Sequence, residues 1–184
     1  MAPTTRFDSV RTDRLLLRRW QESDQEPFAE LNADPQTMRF FASMPDRAGS
    51  DRLIEVIEGR FETQGFGLWA VEVAQTGQFI GFTGLNPMPQ DVPGGGGMEV
   101  GWRLARSAWH HGYATEAARA ALDIWFTQLK NTEIYSMTSL LNEPSLAVMR
   151  RLGLTEYARW DHPRIPEGSA LRPSVTYRLA RDQA

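Results

Sequence analysis

The stretch that determines the fold begins at residues 98–104, Met-Glu-Val-Gly-Trp-Arg-Leu. It continues through residues 105–117, Ala-Arg-Ser-Ala-Trp-His-His-Gly-Tyr-Ala-Thr-Glu-Ala. Apolar side chains alternate with other residues from Met98 to Leu104, which is the period-2 pattern of a half-buried strand. From Ala114 to Leu129 apolar residues recur at intervals of three and four, the stripe of an amphipathic helix. The stretch therefore predicts a strand, a turn, and a helix that begins at Gly112 or Tyr113.

The turn ahead of this helix has the properties of an anion site. The first amides of a helix have no carbonyl partners, and the helix dipole directs positive potential outward from them. Gly112 and Ala114 place little side chain in front of those amides, and helix termini of this kind bind phosphate or pyrophosphate. The alternative interpretation is a plain tight turn between a strand and a helix, with no ligand.

The segment from Trp109 to Ala117 resembles the acetyl-coenzyme A signature of the GNAT superfamily of N-acetyltransferases, Gln/Arg-x-x-Gly-x-Gly/Ala. Gly112 and Ala114 match that signature. Trp109 stands where most members have Gln or Arg, a departure that is common in the similar ribosomal-protein N-terminal acetyltransferase branch. The resemblance extends from Thr12 to about Arg181.

This resemblance implies a single GNAT domain over residues 1–184 with a core of about 12–181. The implied fold class is α/β (α+β), with a mixed, mostly antiparallel sheet of about seven strands flanked by about four helices. In this fold the fourth and fifth strands splay apart and leave main-chain groups unpaired for the cofactor.

Capping residues and apolar spacing place the flanking helices. Ser23 or Asp24 is expected to cap a first helix, and Ser50 is expected to cap a second one. The buried side of the second helix is predicted from its apolar positions, namely Leu53, Val56, Ile57 and Phe61. The first strand is predicted over residues 12–20.

Composition narrows the classes of function. At 184 residues, with 41% hydrophobic and 23% charged residues, the chain fits one globular domain. A formal charge of −3 predicts no overall attraction to nucleic acid or to an anionic membrane, and favours a cationic acceptor weakly. With no apolar leader in residues 1–11 and no run of ~20 apolar residues, we expect a cytoplasmic protein.

The absence of cysteine restricts the chemistry of acyl transfer. With no Cys there is no disulfide and no cysteine nucleophile, so transfer cannot pass through an acyl-cysteine enzyme. Direct attack by the substrate on the acyl donor is the expected route. The adjacent His110 and His111 have no evident third ligand, so no metal is expected.

The resemblance implies that acetyl-CoA is the cofactor. The strand end at residues 102–104 would pair with the pantetheine amides, and the amides of residues 110–115 would bind the pyrophosphate. Arg106, with His110 or His111, would add positive charge near the phosphates. The residues expected to bind acetyl-CoA are Trp102, Arg103, Leu104, Arg106, Trp109, His110, His111, Gly112, Tyr113, Ala114, Thr115 and Asn142.

Two residues are catalytic candidates. Glu99 lies on the strand that leads to the cofactor and would act as the general base, the alternatives being a solvent-facing carboxylate or proton transfer through water. Asn142-x-x-Ser145 resembles a family segment in which the serine acts on the leaving thiolate; the alternative is a first-turn serine that bonds a backbone amide. The tyrosine that many members use seven residues after the Asn is Met149 here.

An apolar connector is the candidate acceptor site. In the GNAT fold the loop between the first two helices walls the acceptor pocket, so Phe40, Phe41 and Met44 are expected to contact substrate, the alternative being a loop tucked over the core. The acceptor would be a protein N-terminal amine or a small-molecule amine, and a homodimer is compatible with the resemblance. The rival hypothesis is a non-catalytic acyl-CoA-binding module.

Overall fold

One eight-stranded sheet organises the chain in a computed structural model that describes residues 6–181. The strands are β1 (Ser9–Arg11), β2 (Leu15–Arg18), β3 (Leu68–Val73), β4 (Gln78–Pro87), β5 (Met98–Leu104), β6 (Glu133–Ser139), β7 (Thr155–Asp161) and β8 (Pro173–Ala180). The α-helices are α1 (Gln25–Ala33), α2 (Arg47–Gln64), α3 (Tyr113–Asp123) and α4 (Glu143–Arg151). The predicted mixed α/β architecture is confirmed.

The strand order is β1-β2-β3-β4-β5-β6-β8-β7, and each neighbouring pair is antiparallel except β5 and β6. The sheet has one strand more than expected because β1 lies ahead of the predicted first strand, residues 12–20, which corresponds to β2. The two strands form a hairpin with a turn at residues 12–14. A π-helical turn, Ile124–Gln128, follows α3. Helix α3 packs against β4 and β5 and buries Ala117, Ala118, Ala121 and Leu122 in the main core.

The second helix begins earlier than the sequence predicted. Asp46 is its cap and accepts a hydrogen bond from the Gly49 amide at 2.7 Å. Ser50 therefore lies inside the helix, where it is buried and accepts a bond from the Asn32 side chain at 2.9 Å. The prediction failed because an acidic residue four positions upstream offers the same capping chemistry.

The buried face of α2 also differs from the predicted one. Val56 is 51% exposed, whereas Ile54, Ile57 and Phe61 are buried. Both sets of residues satisfy helical spacing, so the sequence pattern could not distinguish them. Packing of α2 against α1 decides which set is covered.

Asp24 occupies the cap position of α1, but its side chain makes no capping hydrogen bond to that helix. Both of its carboxylate oxygens accept bonds from Arg18, at 2.7 and 2.9 Å. Arg18 also donates to Glu72 of β3 at 2.9 Å. This buried guanidinium is therefore compensated by two carboxylates, and Asp24 ties β2 to α1.

Among residues 6–181, no helix has both the length and the apolar run that crossing a membrane requires.

Candidate active site

A cleft opens where β5 and β6 separate. These two strands share one register pair, Glu99 with Tyr135, over the part of the chain that the structure describes. Beyond Glu99 the strands diverge, and a cavity of about 1410 Å³ lies along the end of β5, the turn before α3, and the amino end of α4. Predicted site residues that line the cavity are Phe40, Phe41, Trp102, Arg103, Leu104, Trp109, His110, Gly112, Tyr113, Ala114, Thr115, Asn142 and Ser145.

The turn before α3 presents unpaired amides to this cavity. His110 and Gly112 both have left-handed backbone, with φ of 64° and 80°. The first helical hydrogen bond runs from the Glu116 amide to the Gly112 carbonyl at 3.0 Å. Among the described residues no hydrogen bond uses the amides of residues 112–115 as donors, so they are available to an anion.

A carboxylate clamp holds this turn in place. Glu116 accepts bonds from the Thr12 hydroxyl at 2.6 Å, from the Arg14 amide at 3.0 Å and from Arg14 Nε at 2.7 Å. Arg14 also donates to the His111 carbonyl at 3.0 Å. Burial alone would raise the pKa of Glu116, but the bonds from Thr12 and Arg14 hold that pKa below its usual range. The hairpin at the start of the sheet therefore fixes the start of α3.

Trp109, which departs from the Gln or Arg of the acetyl-coenzyme A signature, has a structural role. Its indole nitrogen donates to the Leu104 carbonyl at 2.8 Å, which fastens the turn to the end of β5. The Arg39 guanidinium lies 5.1 Å from the Trp109 ring and 4.6 Å from the Phe40 ring. The connector between α1 and α2 is thereby joined to the turn.

Two exposed arginines supply positive charge along the helices of the cleft. Arg119 of α3 and Arg151 of α4 both line the cavity. Arg106 and His111, which the sequence suggested for this purpose, do not line it. Arg106 is exposed and lies 3.6 Å from Asp34, and His111 stacks on Tyr113 at 5.3 Å between ring centres.

Ser145 and Asn142 stand at the amino end of α4. Asn142 caps the helix and its side-chain oxygen accepts a bond from the Ser145 amide at 3.3 Å. No hydrogen bond within residues 6–181 involves the Ser145 hydroxyl, which leaves this group free to act in the cleft. Met149 is 1% exposed, so the position of the common tyrosine lies in the core.

Glu99 lies beside the cavity and not in its lining. The Asn86 side chain donates to Glu99 at 2.8 Å, and Arg60 of α2 in turn donates to Asn86. Burial raises the pKa of Glu99, and the bond from Asn86 and the charge of Arg60 only partly oppose it. A raised pKa brings a carboxylate nearer to the range of a general base.

The connector between α1 and α2 contributes unequally to the cavity. Phe40 and Phe41 line it, whereas Met44 does not and is 53% exposed. Sequence reasoning missed the arginines at positions 14, 39, 119 and 151, and also Glu116. The recurrence of Glu116, Arg119 and Asp123 on one side of α3 was a signal in the sequence, but a solvent-facing helix shows the same pattern.

The residues present fit an acyl-CoA. Free amides at a helix terminus, two cationic side chains and a gap beside an unpaired strand edge match a diphosphate joined to an amide-containing arm. Within the described ranges no group of three His, Cys, Asp or Glu side chains has the arrangement of a metal site.

Comparison with known proteins identifies similar acetyltransferases. A family model described as an acetyltransferase (GNAT) domain matches residues 14–155. The FsC-acetyl coenzyme A-N(2)-transacetylase of Aspergillus fumigatus is 30% identical over 189 residues, which cover 95% of this chain and 77% of that protein.

Solved structures have the same fold. An acetyltransferase from Agrobacterium tumefaciens is 26% identical, with a TM-score of 0.76 and 94% of each chain covered. A structure described as a putative ribosomal-protein-serine acetyltransferase from Vibrio cholerae has a TM-score of 0.77 at 18% identity, and covers 96% of this chain and 99% of its own.

Proposed function

The chain belongs to the GNAT acetyltransferase family, and on this premise we propose that it transfers an acetyl group from acetyl-CoA directly to a primary amine in a ternary complex. One observation carries the proposal: the unpaired amides of residues 112–115 border the cavity made by the separation of β5 and β6. The diphosphate of acetyl-CoA would bind those amides, and its extended pantetheine arm would occupy the cavity along β5.

The donor site consists of main-chain groups and two side chains. The amides of residues 112–115 would hold the diphosphate, Arg119 and Arg151 would add charge, and the edge of β5 at residues 102–104 would bond the pantetheine arm. Bound acetyl-CoA supplies an acetyl group activated as a thioester. The name of the relative from Aspergillus fumigatus specifies an acetyl coenzyme A donor and a nitrogen acceptor, which supports the same pairing here.

Glu99 would accept the proton of the attacking amine. Its raised pKa and its place on β5, ahead of the residues that line the cleft, support this role. An α-amine, with a pKa of about 7.7–8.0, needs less help than a lysine amine at about 10.4. A water between the amine and Glu99 would serve if the carboxylate does not reach the substrate.

The remaining groups act on developing negative charge. The amide of Trp102 or Arg103 would donate to the carbonyl oxygen as charge develops there, which is commonly the largest catalytic contribution. The free hydroxyl of Ser145 would donate a hydrogen bond to the leaving sulfur. Because a thiol of pKa about 8.5 leaves readily as a thiolate, this bond assists the reaction and is not essential to it.

Two measurements test the proposal. Isothermal titration with acetyl-CoA, and with ATP as the comparison ligand, measures whether the cleft selects a CoA. A thiol-release assay against small amines and peptides with free amino termini measures transfer. We expect saturable acetyl-CoA binding, thiol release with at least one amine class, and intersecting initial-velocity lines when both substrates are varied.

Each contrary result has its own meaning. No acetyl-CoA binding would overturn the proposal. Binding without thiol release across the panel would indicate an acyl-CoA-binding module. Parallel initial-velocity lines would indicate a covalent acyl-enzyme and contradict direct transfer.

A further inference from the structure

The side chain of Arg103 is partly buried in the wall of the cleft and has no carboxylate partner. Its Nη1 donates to the neutral side chain of Asn32 at 2.6 Å, and its Nε is buried with no hydrogen-bond partner. None of the ion pairs found among residues 6–181 includes it. Burial lowers the pKa of Arg103 to about 10, so the group is still a cation at neutral pH.

Comparison with Arg18 shows that Arg103 lacks an anionic partner. Arg18 is buried, and two carboxylates, those of Asp24 and Glu72, accept its hydrogen bonds. A buried charge is costly unless it is paired and hydrogen-bonded. The rings of Phe41 and Phe82, 4.3 and 5.3 Å from the guanidinium carbon of Arg103, offset part of that cost. An unmet requirement for an anion remains.

The wall of the cleft around Arg103 is positively charged. The lining residues contributed by β5 and by the connector include Arg103 and Arg39 and contain no Asp or Glu. The carboxylates that line the cavity come from other elements, and they are Asp13, Glu116, Asp123 and Glu143. The net charge of −3 is therefore no guide to the acceptor, because the local charge at this wall has the opposite sign.

The surface of β5 is open above Gly101, which lies between Glu99 and Arg103 on the strand. Alternation along β5 places Glu99, Gly101 and Arg103 on one face of the sheet. A Cβ atom built on Gly101 would meet no atom within 4 Å outside its chain neighbours. The Cα atoms of Glu99 and Arg103 are four strand residues apart, about 13 Å. A small molecule in this space would have the candidate base at one end and an unpaired cation at the other.

We propose that Arg103 determines acceptor specificity by binding a carboxylate of the acceptor, so that the substrate is an amine that also carries an acidic group. The amine lies over Gly101, toward Glu99, and the carboxylate accepts charge-assisted hydrogen bonds from the guanidinium. This inference rests on the proposed acetyltransferase function and specifies its acceptor class. Arg103 acts on substrate binding and not on the transfer of the proton.

The test uses acceptors that differ only in the acidic group. Matched pairs are Ser-Asp-Gly-amide with Ser-Asn-Gly-amide, Ser-Gly with Ser-Gly-amide, and ω-amino acids of increasing length with their amides. Thiol release gives kcat/KM for each member. For at least one pair we expect the wild-type protein to favour the acidic member by about ten- to a hundredfold, the range of a hydrogen bond to a charged group.

Variants assign that preference to one side chain. Arg103→Gln should reduce the preference to less than about threefold, because it removes the cation that the acidic group of the acceptor would contact. Arg103→Lys keeps a charge without the planar fork and should give an intermediate preference. Arg159→Gln removes an exposed arginine of β7 outside the cleft lining and should keep the full preference. Thermal unfolding of each variant separates lost binding from lost folding.

The outcomes distinguish the two proposals. Equal kcat/KM for the acidic and neutral members in wild-type protein would overturn this inference and leave the acetyltransferase proposal intact. A higher KM for acetyl-CoA with an unchanged acid preference in Arg103→Gln would assign Arg103 to the cofactor, which also overturns it. Without thiol release, titration of each pair into the complex with CoA still measures acid preference. Failure to bind acetyl-CoA instead overturns the proposed function.

Discussion

Glu99 of β5 is paired with Tyr135 of β6 at the one register position that joins these parallel strands in the described chain. Residues 100–104 continue along β4 in unbroken antiparallel register, and β6 is paired with β8 along its whole length but meets β5 only at Tyr135. The candidate base therefore lies at the point where the sheet opens. The main-chain edge of β5 that follows it is available to an extended ligand.

Replacing Glu99 by glutamine tests the base. Glu99→Gln keeps an oxygen that accepts the bond from Asn86 but cannot accept a proton. We expect kcat/KM to fall by about 10²-fold or more if the carboxylate is the base, and by much less if water carries the proton. Glu55→Gln, at an exposed position of α2, is the control and should leave kcat/KM unchanged.

The same substitution predicts a change in the pH dependence of stability. Because burial raises the pKa of Glu99 in the folded protein, its contribution to stability is full below the unfolded pKa of about 4.3. That contribution is lost as the pH rises through the folded pKa. Urea unfolding should show Glu99→Gln matching the wild-type protein at about pH 4 and exceeding it at about pH 8. If the two proteins differed in stability by the same amount at both pH values, the raised pKa of Glu99 would be contradicted.

Gly112→Ala tests whether the turn before α3 binds the diphosphate, and Gly153→Ala is its matched control. Gly112→Ala puts a methyl group on a left-handed residue of the cleft. Gly153→Ala does the same at φ 87°, and its nearest atom, in Leu179, lies 4.0 Å from the new carbon. Each substitution should cost about 1–2 kcal/mol of stability, but only Gly112→Ala should weaken acetyl-CoA binding, by about tenfold. Equal affinity in the two variants would place the diphosphate elsewhere.

The clamp on the turn predicts a link between stability and cofactor affinity. Glu116→Gln removes the charge that Arg14 and Thr12 contact, and we expect a loss of about 1–2 kcal/mol, moderated by the exposure of Arg14. Since the pKa of Glu116 is lowered in the folded protein, this advantage is present above the unfolded pKa of about 4.3. It disappears as the pH falls through the folded pKa.

Denaturant unfolding as a function of pH measures this effect, and titration with acetyl-CoA measures the accompanying loss of affinity. Glu156→Gln breaks an exposed ion pair with Arg159 on β7, far along the chain from the turn, and should leave the acetyl-CoA affinity unchanged. An unchanged affinity in Glu116→Gln would mean that the turn keeps its geometry without the clamp.

Ser145 predicts an effect on turnover alone. Ser145→Ala removes a free hydroxyl without removing the amide that Asn142 caps. We expect kcat to fall by about tenfold or slightly more, the equivalent of one hydrogen bond to a charged group, with KM for acetyl-CoA little changed. Ser145→Thr, which restores a hydroxyl, should recover most of the rate. Steady-state kinetics of the three proteins decides, and an unchanged kcat in Ser145→Ala would exclude the role.

The local pattern of the sequence determined the elements near the site. The alternation in residues 98–104, the helix start at Gly112 or Tyr113, and the Asn142 cap are each confirmed. These features depend on residues close together in the chain, where strand alternation and capping chemistry act directly. The same local reasoning misplaced the start of α2, because Asp46 and Ser50 offer equivalent caps and only packing chose between them.

The sequence by itself thus determined the family, the strand-turn-helix unit and nearly half of the residues that line the cleft. Only the tertiary structure decided that Glu116 holds the turn through Thr12 and Arg14, that Asn86 donates a hydrogen bond to Glu99, and that Arg103 lacks a carboxylate partner. The partners of Glu116 lie more than 100 positions away in the chain. Whether a charge is paired depends on groups that the fold brings together from distant segments, and no local spacing in the sequence records them.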